Sequence, residues 1–490
     1  MKTQWFSNTR ADILAGAVVG LALIPEAISF SIIAGVDPKV GLYASFIIAI
    51  ITAFMGGRSG SISAATGAMA LLMVDLVKNH GLQYLLVATI LTGILQVAFG
   101  FLKLARQMRY VPRAVMLGYI NALAVLIFLA QLPHLDPKKI AEYSQYGLVY
   151  VITLLSLAII YILPRFTKVI PSPLVALFVM TNATIFFKLD VPMVGDMGQL
   201  PATLPIFLLP QVPFNLETLQ IVLPYSLTLA VVGLLASFLT ASLVDELTDT
   251  SSDKNQEAKG QGMANIVTGF FGGMAGCGMI GQSVINVESG GRGRLSTFCA
   301  GIFLLIAILA LQDWVKQMPM ATLVAIMIMV SIGTFRWASL LKMKRIPRNE
   351  NMVMLTTMTI IILTRNFAFG VAVGVILSTI FFTRKIAKLV TVEKILQEDG
   401  THRIYNVHGQ IFFVSKEDLL EEFDFREKVA RITINLTHAH IWDQGAVAII
   451  DQIILKFRRQ GINVELIGLN EASQTLFERL AISSNRSLTE

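Results

Sequence analysis

Apolar stretches of about 20 residues recur along this chain from Ala11 to Arg384, and they constrain its fold more than any other feature. A helix of about that length crosses the hydrocarbon core of a bilayer. Charged residues make up 14% of the 490 residues, whereas soluble proteins contain about 25%. The sequence therefore predicts an α-helical polytopic protein of the cell membrane. Its lipid-embedded transmembrane transport domain is expected to comprise residues 1–386.

The apolar spans fall into two halves of seven, separated by a proline-rich connector at 189–220. Seven spans per half would turn the second half upside down, so the fourteen spans are expected to form an inverted repeat over about 11–188 and 221–384. Basic residues at 342–348 and 384–388 place both termini in the cytoplasm and the connector outside. The predicted spans are 11–33, 40–56, 64–78, 84–104, 113–132, 148–164, 171–188, 221–243, 258–274, 281–288, 295–312, 318–334, 351–364 and 366–384.

The third and tenth spans are interrupted at matching places by small and polar residues, at 56–69 and 272–285. Irregular backbone at membrane depth survives where it lines a protein or water-filled cavity. Broken helices in corresponding places of two halves indicate the substrate site of a secondary transporter. The helix starts would offer free N–H groups and a positive dipole end to an anion, although small residues also favour plain helix packing. The candidate binding residues at the two starts are Thr66, Gly67, Ala68, Gly281, Gln282 and Ser283.

Glu26 lies in the middle of the first span, directly after Pro25. An ionisable group at that depth costs about 2.5–3.5 kcal/mol or more and by default marks a transport pathway. We expect Glu26 to serve as a proton or cation site. The structural alternative is a protonated carboxyl group that is hydrogen-bonded to backbone.

The composition changes after Lys385, where short β-type runs alternate with amphipathic stretches over 387–490. That alternation predicts a small cytoplasmic α/β domain. The β-type runs are 389–395, 403–414, 431–436 and 463–468, and the amphipathic stretches are 416–423, 445–459 and 471–480.

No catalytic, cofactor or metal-binding pattern is found in the sequence. Cys277 and Cys299 are expected to be small packing residues, and the histidines lack ligand spacing. The glycine-rich run at 289–294 lacks phosphate-loop spacing, and the acidic run at 245–253 is expected to be a solvated loop. Basic residues punctuate the apolar spans and form no stripe, so nucleic acid is not an expected partner. We therefore expect no enzyme.

These residues resemble the SulP (sulfate permease) family of anion transporters over essentially the whole chain. The most specific stretches are 24–30 with 41–43, 66–69, 259–262 and 281–286; the last, continued to 294–296, is similar to the bicarbonate-transporting, BicA-like branch. The resemblance implies a UraA-like fold of two inverted sevens, a C-terminal STAS domain, homodimers and elevator-like alternating access. It also implies a pocket between the third and tenth spans that Glu26 and Phe30 line, with Gln282 where mammalian members carry an anion-binding arginine.

Two departures from the family pattern leave alternatives open. Ala236 stands where the family commonly has an acid tied to cation coupling, so either Glu26 couples transport to Na⁺ or H⁺, or the protein is an uncoupled exchanger. The turn at 441–445 lacks the hydroxyl that STAS antagonists phosphorylate. The expected substrate is a small inorganic anion, bicarbonate or sulfate, with a dicarboxylate as the alternative. An anion channel is the second functional class, and a membrane-tethered signalling scaffold is the third.

Overall fold

The computed structural model describes residues 5–6, 8–105, 111–140, 143, 147–166, 171–397 and 400–482. The chain divides between Val375 and Ile376 into two compact units. Among the described residues, fourteen helices of nine residues or more precede the C-terminal sheet, in the order of the predicted spans. They are α1 Thr9–Ala34, α2 Pro38–Met55, α3 Gly67–His80, α4 Leu82–Phe101, α5 Arg113–Gln131, α6 Gly147–Ile162, α7 Ser172–Phe186, α8 Leu216–Thr248, α9 Lys254–Phe270, α10 Ile280–Glu288, α11 Arg294–Ala310, α12 Met320–Thr334, α13 Arg348–Thr364 and α14 Phe367–Ala387.

Seven of the helical segments in the described residues are long and apolar enough to cross a membrane. Helices α3 and α10 are shorter, with 14 and 9 residues, because extended backbone precedes each of them. Those extended segments are the strands β1, Ser63–Ala65, and β2, Gly276–Gly278. The sequence predicts the two breaks but not that each contains a strand.

Strands β1 and β2 pair antiparallel, with Ala64 opposite Cys277 at the centre. This pairing satisfies backbone groups that would otherwise be unpaired at membrane depth. The two backbones approach so closely that a Cβ on Gly276 would lie 2.1 Å from the Ala64 carbonyl oxygen, which requires glycine there. Because the strands are antiparallel, helices α3 and α10 begin at opposite ends of one small ribbon.

The helices of the membrane unit pack as two groups. The first helix group contains α1–α4 and α8–α11, and the second contains α5–α7 and α12–α14. Within the first group α4 packs on α9 as α11 packs on α2, and α1 packs on α11 as α8 packs on α4. These are the pairings that a repeat relating each helix to the seventh after it requires. The inverted orientation of the halves remains a prediction.

The acidic run at 245–253 was expected to be a solvated loop, and this holds only for its second part. The acidic run begins inside helix α8, which continues to Thr248, and only the residues after it leave the helix. The carboxylate of Asp245 lies 3.4 Å from Arg58 Nε and 2.8 Å from Lys254 Nζ. Asp245 therefore closes the helix by ion pairing, whereas residues 249–253 leave the helix, with Asp249 and Asp253 exposed.

The C-terminal unit contains a four-stranded sheet in the order β3–β4–β5–β6, where β3 pairs antiparallel with β4 and the other pairs are parallel. Helix α15, Gln444–Arg458, connects β5 to β6, and helix α16, Glu471–Leu480, follows β6. The apolar sides of both helices join the sheet in one core that includes Tyr405 and Phe457. Asp443 begins α15, because its carboxylate accepts a 2.8 Å hydrogen bond from the Ala446 amide. The elements are β3 Thr391–Leu396, β4 His402–Ile411, β5 Arg431–Ile441, α15 Gln444–Arg458, β6 Asn463–Ile467 and α16 Glu471–Leu480.

Candidate functional site

A cavity of about 590 Å³ lies where the two helix starts meet. Its walls come from helices α1, α5, α8 and α12 and from the segments around both breaks. Seven of the eight predicted binding residues line it, together with Ala236 at the family's acid position; the seven are Glu26, Phe30, Thr66, Gly67, Ala68, Gly281 and Gln282. The fold thus brings residues from both halves of the chain to one place.

The start of helix α3 faces this cavity. Thr66 occupies the N-cap position, but its side chain makes no capping hydrogen bond to the helix. Its hydroxyl lies 3.1 Å from the Cys277 Sγ on strand β2, so it joins the two breaks instead. The first amides of a helix have no acceptor inside it, and no other described residue supplies one for Gly67 and Ala68. These N–H groups are available to a ligand.

Gly67 is crowded on its side-chain face. A Cβ there would lie 2.9 Å from Phe30 Cε1 and 3.0 Å from Ile127 Cδ1. Helix α1 carries Phe30, and Ile127 belongs to α5 of the second helix group. The close contact explains in physical terms why a glycine begins helix α3.

The start of helix α10 carries the polar side chain of the site. Gln282 Nε2 donates a 2.8 Å hydrogen bond to Glu26 Oε1, and both residues are buried. The other amide atom, Gln282 Oε1, is buried without a partner in the described residues. Beside it, Gly281 is exposed, and a Cβ there would meet nothing within 4 Å. The cavity therefore has open space beside Gly281, at the start of helix α10.

Ser283 does not line the cavity, which corrects the sequence-based expectation. Its hydroxyl accepts a 2.8 Å hydrogen bond from the Ile62 amide, and the side chain is fully buried. Successive residues of a helix point about 100° apart, so Ser283 faces the segment before β1 while Gln282 faces the cavity. Ser283 therefore holds the backbone of the first break in place through Ile62.

Other polar side chains hold the breaks in place, and the sequence analysis did not identify them. Asn265 Oδ1 accepts a 2.9 Å hydrogen bond from the Gly276 amide, and its Nδ2 donates to the Gly276 carbonyl and to Gln96. The Ser237 hydroxyl accepts from the Gly278 amide at 2.9 Å. A polar residue in an apolar span is costly unless it is hydrogen-bonded, and that was the available signal.

Two formally charged residues line the cavity among those that the structure describes, Glu26 and Arg336. Glu26 is buried near the helix starts, whereas Arg336 and Leu247, which also line the cavity, are exposed and mark its mouth. The described residues contain no cluster of three or more acids, histidines or cysteines placed to hold a metal ion. Recognition of a ligand at the helix starts would therefore use backbone amides and neutral side chains.

Known proteins resemble this chain along its length. Residues 9–357 match the sulfate permease family, and residues 393–486 match the STAS domain. The "Putative sulfate transporter YbaR" of Bacillus subtilis (strain 168) is 57% identical over 481 residues, which cover 98% of this chain and 99% of that protein.

Two solved structures share the fold. The transmembrane domain of a cyanobacterial bicarbonate transporter, BicA, is 26% identical, with a TM-score of 0.64 over 76% of this chain and 98% of that one. The overall structure of SLC26A9 matches at a TM-score of 0.80 over 98% of this chain and 87% of that one, and at 14% identity it supports the fold alone. The chain is therefore a multi-pass membrane protein of the sulfate permease family with a C-terminal STAS domain.

Proposed function

We propose that this protein is a secondary transporter of small inorganic anions, with bicarbonate or sulfate as its substrate. The observation that carries the proposal is the pairing of the α3 and α10 starts across strands β1 and β2, at one cavity. Each helix start contributes about 0.3–1 kcal/mol toward an anion at an exposed site and up to about 2 kcal/mol when partly buried. Such modest attraction suits a ligand that must be released on the other side.

The names of the relatives support the substrate class. YbaR is named a putative sulfate transporter, and BicA a bicarbonate transporter. Both anions are small oxyanions that accept hydrogen bonds from amides, and both fit within a cavity of about 590 Å³. A dicarboxylate also fits by volume, so it belongs among the anions to be tested.

Glu26 is our candidate for the coupling site. It is the one carboxyl group that lines the cavity among the described residues, and Ala236, at the family's acid position, lines the same cavity. A carboxyl group buried in a membrane protein needs a proton, a cation or a hydrogen-bonded partner to offset its desolvation. Gln282 supplies one hydrogen bond, and a bound proton or Na⁺ would offset the remaining cost of desolvating the carboxylate.

The two helix groups support an elevator-like mechanism. Both helix starts and Glu26 belong to the first helix group, whereas α5 and α12 form the opposite wall of the cavity. Movement of the first group along that wall would carry the site from one face to the other. With the termini in the cytoplasm, the ends of α8 and α12 at the cavity mouth lie inside, so this is an inward-open arrangement.

The test is uptake of labelled anions into proteoliposomes. Bicarbonate, sulfate and succinate are each offered at alkaline pH, with and without an inward Na⁺ or H⁺ gradient. Saturable uptake of bicarbonate or sulfate above that of empty liposomes supports the proposal, and dependence on a gradient supports coupling. Absence of uptake of either anion contradicts it, as do single-channel currents in planar bilayers, because a transporter's turnover is too slow to produce them.

A further inference from the structure

Arg336 is the one basic residue among the described residues that line the cavity, and it lies at its exposed mouth, two residues after the end of helix α12. In the described part of the chain, its guanidinium makes no hydrogen bond or ion pair. Arginine carries its charge at any working pH and offers five N–H donors in a planar fork that matches oxyanions. The side chain is therefore a free, permanent cation on the path to the helix starts.

The backbone of Arg336 is held from both sides. Its amide donates a 2.9 Å hydrogen bond to Asn121 Oδ1, and its carbonyl accepts a 2.6 Å hydrogen bond from the Ser339 hydroxyl. Asn121 Nδ2 donates to that same hydroxyl at 2.9 Å, which closes the network. Asn121 is fully buried in α5 and Ser339 is 5% exposed. A buried polar network of this kind fixes the position of the residue that it surrounds.

This network belongs to the second helix group, because Asn121 lies on α5 and Arg336 follows α12. The binding residues at the helix starts belong to the first helix group. If the first group moves during transport, Arg336 stays at the mouth and faces the site when the cavity opens on its side. The charge would then act on anions that enter or leave through this mouth.

We propose that Arg336 selects anions at this mouth of the cavity, and that Asn121 and Ser339 are positioning residues for it. The inference rests on the proposed anion transport and adds a residue that the paired breaks do not include. A fixed positive charge in a cleft with low-dielectric walls raises the local concentration of anions and excludes cations. The effect falls with ionic strength, because the screening length is about 10 Å at 0.1 M salt and about 3 Å at 1 M.

The test measures uptake from each side of the membrane, in proteoliposomes sorted by orientation. We expect Arg336→Gln to raise the half-saturating anion concentration about 3- to 10-fold when the anion is offered at the mouth that contains residue 336. Uptake from the opposite side should keep its half-saturating concentration. Arg336→Glu should have a larger effect and Arg336→Lys a smaller one, because the lysine retains the charge. The matched control is Arg345→Gln, an exposed arginine that does not line the cavity.

Two further measurements separate electrostatic selection from a structural role. The difference between wild type and Arg336→Gln should shrink as ionic strength rises from 0.05 to 1 M. Asn121→Leu should reproduce the one-sided change, and adding it to Arg336→Gln should change little more. Ser339→Ala is the milder variant if Asn121→Leu does not fold.

The outcomes distinguish the two proposals. If wild type transports an anion and Arg336→Gln matches Arg345→Gln on both sides, the inference about Arg336 is wrong while the transport function stands. The inference also fails if the change is equal on both sides or independent of salt. If wild type transports no anion, the proposed function itself fails.

Discussion

Gln282 Nε2 donates a 2.8 Å hydrogen bond to Glu26 Oε1, so the start of helix α10 is bonded directly to the middle of helix α1. The two residues are 256 positions apart in the chain and belong to opposite halves. The bond joins the residue proposed for anion recognition to the residue proposed for coupling. A change in the charge or the ligand of either residue therefore alters the hydrogen bonding of the other.

This hydrogen bond determines how an arginine at position 282 would affect anion binding. In Gln282→Arg the guanidinium should form an ion pair with Glu26, so the single variant should not bind anions more tightly than wild type. In Glu26→Gln with Gln282→Arg the cation is free, and the half-saturating concentration should fall about tenfold, with slower release. Uptake kinetics of both variants provide the measurement. Tight binding in the single variant would show that Glu26 does not hold the new arginine.

Gly67 and Gly281 offer a matched pair at the two helix starts. Gly67→Ala would place a methyl 2.9 Å from Phe30 Cε1 and 3.0 Å from Ile127 Cδ1, so we expect destabilisation of about 1–3 kcal/mol and a lower maximal transport rate. Gly281→Ala meets nothing within 4 Å and should keep or raise the stability by up to about 1 kcal/mol. Thermal unfolding in detergent and uptake assays test both. Equal behaviour of the two variants would contradict the packing described at Gly67.

Asn265 should matter for stability more than any exposed asparagine. Asn265→Ala removes the partners of both Gly276 backbone groups and of Gln96, all in a buried position. Unpaired buried groups cost about 1–3 kcal/mol each, so the loss of three partners should cost at least about 3 kcal/mol. The control is Asn182→Ala, because Asn182 is exposed and its side chain bonds only within its own helix. Thermal midpoints in detergent that fall equally for both variants would refute the supporting role.

Ser283→Ala distinguishes a support from a ligand. The variant removes the acceptor of the Ile62 amide behind the cavity, so stability should fall by about 1–3 kcal/mol. The half-saturating anion concentration should remain close to that of wild type, whereas Gln282→Ala should raise it. A selective loss of anion affinity in Ser283→Ala, with normal thermal stability, would return Ser283 to the binding site.

The order of the helices and the place of the cavity were predictable from physical patterns. Apolar spans identify helices because only helices satisfy the backbone in lipid, and the breaks at 56–69 and 272–285 identify the cavity because irregular backbone needs one. Glu26 was identified because an acid is expensive at that depth. These three signals all follow from the cost of placing polar groups in the hydrocarbon core, which can be judged from the sequence without knowing which residues are in contact.

The remaining features depend on orientation and on distant partners, which one sequence does not reveal. Ser283 was assigned to the site because it lies at the start of α10 and offers a neutral hydrogen-bond donor, but one step along a helix turns it about 100° from Gln282 and away from the cavity. Threonine is a common N-cap residue, but the Thr66 hydroxyl contacts Cys277, 211 positions away. Arg336 was not singled out from the sequence, because it lies outside both breaks, and only the fold places it at the cavity.

The central claim is that the anion binds between the starts of helices α3 and α10, and substrate protection at Gly281 tests it most directly. A Gly281→Cys variant places a thiol in open space at the α10 start, and the unmodified protein measures the background from Cys277 and Cys299. We predict that a transported anion slows thiol labelling at position 281, with the concentration dependence of uptake, and leaves labelling of Leu247→Cys at the mouth unchanged. Unchanged labelling at 281 under saturating transported anion would contradict the account.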